Sequence, residues 1–271
     1  MAASDGGKQK PVALAVGAHP DDIEFMMAGT LLLLREVGAE IHMWNVANGS
    51  CGTVEHTKEE IVRLRWEEAQ ASAREAGAAV YPPIADDIAV YYEEKLLARA
   101  AALVRKVKPN IILTHSPGDY MEDHQNACRL AVSAAFVRGM RNFPTSPAVE
   151  PWTGDVAVYH ALPYGLRDGL RRPVRAGQYV DVGSVLAGKR RMLAQHQTQK
   201  EWLDISQGAD AYLEQMEQMC RQAGSMSGRF RHAEGWRRHL HLGLCAPGYD
   251  PLSELLGARC WTDPQYERSL E

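Results

Sequence analysis

Val12 to Leu34, VALAVGAHPDDIEFMMAGTLLLL, constrains the fold more than any other stretch of the chain. Its opening run of small and β-branched apolar residues, Val12 to Val16, reads as a buried strand. The run breaks at Gly17-Ala18, sets His19, Pro20, Asp21 and Asp22 in a row, and continues into an apolar helix. A strand, a tight polar turn and a helix in that order place the turn at the carboxyl end of a strand. Open α/β sheets gather their chemistry on that edge.

The rest of the chain repeats the theme. The sequence predicts a helix from about Ile23 to Val37 stopped by Gly38, a strand from Glu40 to Ala47, and a helix from Thr57 to Ala76 ended by Gly77. A short strand at Ala78 to Tyr81, a helix from Glu93 to Val107, a buried strand from Asn110 to His115 and a helix from Asp123 to Arg138 follow. Strand and helix alternate four times, which argues for an α/β, Rossmann-like fold with a mostly parallel sheet and helices on both faces. Asp155 to His160 and Gln178 to Val182 read as two further strands. From Ser184 the chain reads as helical to about Ala223 and ends in a polar, aromatic stretch. The expectation is a flexible tail over residues 1–10 and a single domain over 11–271, in which 184–271 form a C-terminal helical elaboration.

The totals exclude several classes of function. A formal charge of −4 leaves no basic footprint for nucleic acid. Five cysteines, widely spaced and without a CxxC pair, read as reduced thiols rather than a disulfide frame or a thiolate zinc site. The first ten residues lack an apolar signal core, and no apolar run is long enough to cross a bilayer. A cytoplasmic protein that binds neither membrane nor nucleic acid is expected. The apolar C-terminal helices suggest a homo-oligomer.

His19 and Asp22 offer an imidazole and a carboxylate three residues apart, with Pro20 stiffening the turn between them. Both are suitable ligands for a divalent transition metal such as zinc. Helix capping also accounts for Asp21, Asp22 and Glu24. It does not account for the histidine before them, nor for three acids in four positions. A second polar cluster, Asp119, Glu122, Asp123 and His124, follows the strand Asn110 to His115. In a parallel sheet both clusters lie on one edge and face each other across a switch point. His19, Asp22 and His124 then form a two-histidine, one-carboxylate site with positions left for water and substrate. Zinc fits it, and so does another divalent metal. Asp123 either orients a nearby imidazole or caps its helix.

AHPDDIE (Ala18 to Glu24) with a later Asp123-His124 pair resembles the LmbE-like, or PIG-L-like, deacetylases. These are metal-dependent hydrolases, usually zinc enzymes, that remove acyl groups from N-acetylglucosamine-type sugars. The resemblance extends to Arg65 and Glu68 as an Arg-x-x-Glu pair, to the Arg190 to Gln199 segment around His196, and to AEGW (Ala233 to Trp236). It implies that His19, Asp22 and His124 hold the metal, that Asp21 is the general base and that Arg65 faces the substrate. This chain departs from the pattern at Met121, where the family often carries a histidine thought to stabilise charge on the carbonyl oxygen. A thioether cannot donate a hydrogen bond. His196, His115 and Tyr120 are the candidates for that role, His196 first.

The expected function is therefore a zinc-dependent hydrolase that removes an acyl group from a small N-acyl amino sugar or related conjugate, with Asp21 assisting attack by an activated water. An amidase on a larger amide or natural-product intermediate is the alternative within the same chemistry. A non-hydrolytic sugar- or nucleotide-binding α/β protein is a third reading, against which the acidic first turn and the missing glycine-rich phosphate cradle both weigh.

Overall fold

The structure is a computed structural model and describes residues 10–200 and 211–271. Its centre is a sheet whose eight strands, among the described residues, run in the order β3-β2-β1-β4-β5-β7-β6-β8. The first five in space are β3 (Ala79–Tyr81), β2 (Glu40–Asn45), β1 (Val12–Gly17), β4 (Ile111–Thr114) and β5 (Ala157–Ala161). They pair in parallel, Val16 opposite both Trp44 and Thr114. The other three, β6 (Gln178–Asp181), β7 (Ala233–Arg238) and β8 (Cys260–Thr262), extend the sheet with antiparallel pairing.

Continuous apolar runs in the central strands fill both faces at once. Ala13, Ala15, Ile111 and Leu113 point into one core, while Leu14, Val16 and Ile112 point into the other. That is the period-two alternation of a strand, with helices on either side in place of solvent. The first core is covered by α1 (Asp22–Met26), α2 (Ala28–Glu36), α6 (Leu186–Leu193) and α7 (Ala211–Ser227). Beneath the second lie α4 (Glu94–Val107) and α5 (Glu122–Val137). The long helix α3 (Lys58–Ala76) opens with a capping box between Thr57 and Glu60 and closes at Gly77 in a left-handed conformation, φ 61°.

Two expectations are corrected. The helix read from Ile23 to Val37 is broken at Met27, whose φ of −132° and ψ of −21° leave the helical region and divide α1 from α2. The C-terminal part is less helical than its composition suggests, because β7 inserts between β5 and β6 and β8 closes the edge. Most of the loose tail, and the 201–210 part of the helix read from Ser184 to Ala223, lie outside the described residues. Among the described residues no helix is long and apolar enough to cross a membrane.

The strand order turns back on itself at β1, whose neighbours are β2 and β4. The loops after β1 and β4 therefore leave the sheet side by side at its carboxyl edge.

Candidate metal centre

The turn after β1 holds Asp22 by its own backbone. The amides of Ala18 and His19 donate to Asp22 Oδ2 at 3.1 and 2.7 Å, and the other carboxylate oxygen lies 3.4 Å from His124 Nε2. His19 Nδ1 stands 3.5 Å from Asp22 Oδ2. The rings of His19 and His124 are tilted by 53° with centroids 5.5 Å apart. His19, Asp22 and His124 each bring one ligand atom to within 4.8 Å of the others, and all three are buried. Two loops about a hundred residues apart in sequence thus meet as their strand positions require.

Each imidazole is oriented by a carboxylate on its far nitrogen. Asp123 Oδ2 lies 3.0 Å from His19 Nε2, and Asp119 Oδ1 lies 2.9 Å from His124 Nδ1. Such pairs fix the ring and raise its basicity toward a metal. Asp123 is itself held by the amide of Ile88, which donates at 2.6 Å. Asp119 had no role in the sequence reading. Its signal, an acid five residues before a ligand histidine, is visible only once the loop's path is known.

The protonation pattern describes a pocket that draws in positive charge. Burial opposes charge on His19, yet hydrogen bonds to Asp123 and Asp22 raise its pKa to about 10. Burial likewise opposes charge on His124, and Asp22 and Asp119 raise it. Burial works to raise the Asp22 carboxyl, but His124 and His115 hold it well below the usual range. A divalent ion fits this donor set and takes the place of the protons on binding. A second trio, His115, Asp119 and His124, is equally close. The rings of His115 and His124, however, are stacked 4.2 Å apart at 16°. Lone pairs lie in the ring plane, so stacked imidazoles cannot converge on one ion.

The acids of the turn do not serve as helix caps. Asp21 occupies the N-cap position of α1 in a left-handed conformation, φ 111°, and its carboxylate turns away from the helix. Tyr212 donates to its Oδ2 at 2.7 Å, and Arg65 Nη2 lies 3.6 Å from its Oδ1. Burial raises the Asp21 carboxyl, with Arg65 pulling the other way. Glu24 faces Ser72 and His196, the latter at 3.2 Å.

The remaining sequence candidates fall in different places. Arg65 is 3% exposed, donates to the carbonyl of Pro20 and stands beside Asp21, so it backs the turn rather than the mouth. Gly49 and Gly52 make room for it, since a side chain at either position would collide with its guanidinium end. Glu68 accepts from the amide and hydroxyl of Thr198 and ties α3 to the segment around His196. His196 is fully buried against Glu24 and lies outside the ligand trio. His115 is also fully buried, its Nε2 3.2 Å from Asp22. Tyr120 is 57% exposed, its ring edge-on to His124 at 5.4 Å and 6.3 Å from that of Tyr164. Phe25 continues this aromatic wall, at 5.5 Å from Tyr164 and 5.0 Å from Tyr212.

The chain is similar to several known proteins. A family model described as PIG-L, GlcNAc-PI de-N-acetylase, matches residues 14–136. A diacetylchitobiose deacetylase from Thermococcus kodakarensis is 26% identical over 230 residues, 83% of this chain and 81% of the relative. A 4-oxalmesaconate hydratase from Pseudomonas putida is 32% identical over 181 residues, 64% of this chain and 68% of the relative. Among solved structures, the N,N'-diacetylchitobiose deacetylase of Pyrococcus horikoshii superposes with a TM-score of 0.72 at 20% identity, covering 87% of this chain and 86% of that one. That last likeness concerns the fold.

Proposed function

The chain belongs to the PIG-L family, and from that premise we propose that it is a metal-dependent hydrolase that removes an acyl group from an N-acylated amino sugar or a related conjugate. The observation that carries this reading is the meeting of His19, Asp22 and His124 with the carboxylate of Asp21 beside them. Two relatives named as deacetylases of N-acetylated sugars support it.

His19, Asp22 and His124 would hold the ion, for which zinc suits the donor set. Bound there, a divalent ion supplies Lewis acidity that lowers the pKa of water and polarises the acyl carbonyl. Asp21 does the proton work. Its carboxylate, raised by burial, takes a proton from the attacking water and passes it to the departing nitrogen as the C–N bond breaks. The products are a carboxylate and a free amine. Burial raises the Asp21 pKa, and the Arg65 guanidinium beside it works against that rise. Tyr120 is the exposed hydrogen-bond donor nearest His124 on this wall and is suited to the developing oxyanion in place of Met121. Tyr120 and Tyr164 offer aromatic faces on which the C–H face of a sugar ring can rest.

The experiment is acetate release from a panel of N-acetylated mono- and disaccharides by zinc-loaded protein, with metal content measured in parallel. Turnover by the wild type that disappears together with bound metal in His124→Ala supports the reading. A fully metal-loaded wild type that releases no acyl group overturns it. The hydratase relative at 32% identity favours a second reading, addition of water across a carbon–carbon double bond by the same site. Loss of ultraviolet absorbance from conjugated unsaturated acids, with no acetate released from the panel, would select it.

A further inference from the structure

The geometry points to Tyr212 as a positioning residue for Asp21, and so to α7 of the C-terminal elaboration as a component of the catalytic site. This rests on the reading of Asp21 as the proton-transfer group. Asp21 has a φ of 111°, a conformation that a side-chain-bearing residue adopts only when its surroundings hold it. Among the described residues, the carboxylate is held by two contacts from distant parts of the chain. Arg65 of α3 stands 3.6 Å from Oδ1, at the long end of an ion pair, whereas the Tyr212 hydroxyl donates to Oδ2 at 2.7 Å. The tyrosine contact is the tight one, and by committing Oδ2 it assigns proton transfer to Oδ1, which keeps only the longer ion pair with Arg65.

Tyr212 is suited to this task and to little else. Its side chain is 2% exposed, so the hydroxyl is not a surface group that happens to lie nearby. Its ring packs edge-on against Phe25 at 5.0 Å, which sets the direction of the C–O bond. A buried phenol without an acceptor is costly, and a buried carboxylate without a donor more so. The two therefore lock one another, and the lock closes only when α7 is docked against α1 and the first core. A phenol that shares its proton with Oδ2 leaves the opposite oxygen as the stronger acceptor, which is the arrangement a base needs toward a single water.

The test compares zinc-loaded wild type with Tyr212→Phe, Asp21→Asn and the double variant. Tyr212→Phe keeps the ring and its packing and removes only the donor. It is expected to lower kcat roughly ten- to a hundredfold, the scale of one charge-assisted hydrogen bond, with KM within about twofold and zinc content unchanged. In the Asp21→Asn background the same change should cost nothing further, because the hydroxyl acts only through that carboxylate. Equal kcat in Tyr212→Phe and wild type overturns the inference, as does a full second loss in the double variant, which marks a structural role. A wild type that turns over no amide overturns the hydrolase reading instead. Zinc-bound crystal structures of wild type and Tyr212→Phe then decide Tyr212 alone: a rotated Asp21 carboxylate supports positioning, and an unmoved one refutes it.

Discussion

Two buried acidic clusters in this molecule treat charge in opposite ways. At one, Glu234 of β7 is saturated. Its Oε1 accepts from the Gly29 amide at 2.8 Å and Lys189 at 2.6 Å, and its Oε2 from the amide and hydroxyl of Thr30 at 2.8 and 2.6 Å. Lys189 also donates to the carbonyl of Phe25, and Trp236 donates to the Thr30 hydroxyl. At the other, Asp22 accepts from two backbone amides on one oxygen, and of the imidazoles around it those of His19 and His124 carry raised pKa values while burial lowers that of His115. The first cluster meets its own electrostatic demand and pins the start of α2 to the C-terminal strands. The second has no lysine or arginine on its carboxylate among the described residues, and its donor set is one that could hold an ion. Burial and acidity are common to both; completeness of the donor set tells scaffold from chemistry.

The sharpest way to break this contrast is at the incomplete cluster. His124→Ala should lose bound metal and turnover to background, seen by elemental analysis and acetate release, while the metal-free protein keeps its secondary structure by circular dichroism. Chelation of the wild type should lower its melting temperature, because an ion bound only by the folded state stabilises it. Asp21→Asn should retain metal and lose about 10²- to 10⁴-fold in kcat. At the saturated cluster the order reverses. Lys189→Met leaves Glu234 buried without its cation and should cost about 3–5 kcal/mol in denaturant unfolding, with metal stoichiometry per folded molecule unchanged. Asp119→Asn sits between the two, and should weaken zinc about 10- to 100-fold in a competition titration with little change in stability.

A smaller effect concerns pH. His160 is wedged between the carbonyl of His115 at 2.9 Å, Cys128 at 3.4 Å and His239 at 2.9 Å, and burial pushes its pKa down to about 4. Between that value and about 6.5 the unfolded chain binds a proton that the folded one does not. Stability should therefore fall as pH drops through this window, with His160 contributing up to about 1.4 kcal/mol per pH unit. His160→Phe should flatten that part of the curve, measured by urea midpoints across the window.

Much of the site was legible because its ligands sit where a strand ends and a helix begins. Val12 to Asp22 carries a fold signal and a chemical signal within one short run, and the adjacency of β1 and β4 follows from the topology. Asp123 was read as either cap or orienting group, and its carboxylate lies against His19. What the sequence hides is whatever arrives from far away. Tyr212 reaches Asp21 across 191 positions, and Glu234 reaches Thr30 across 204, with no local pattern to announce either. His196, read from a family-like segment as a donor for the oxyanion, lies in the interior 3.2 Å from Glu24. The strands β7 and β8 were missed because charged and small residues in Ala233–Arg238 mask their alternation, and pairing partners rather than propensity define them.

The placement of β7 has a consequence for how the molecule is born. It lies between β5 and β6 although it follows both along the chain. A polypeptide emerging from a ribosome presents His19, Asp22 and His124 early, and the strand that separates β5 from β6 only afterwards. The contact between Tyr212 and Asp21 therefore forms only once the last third of the chain has begun to emerge.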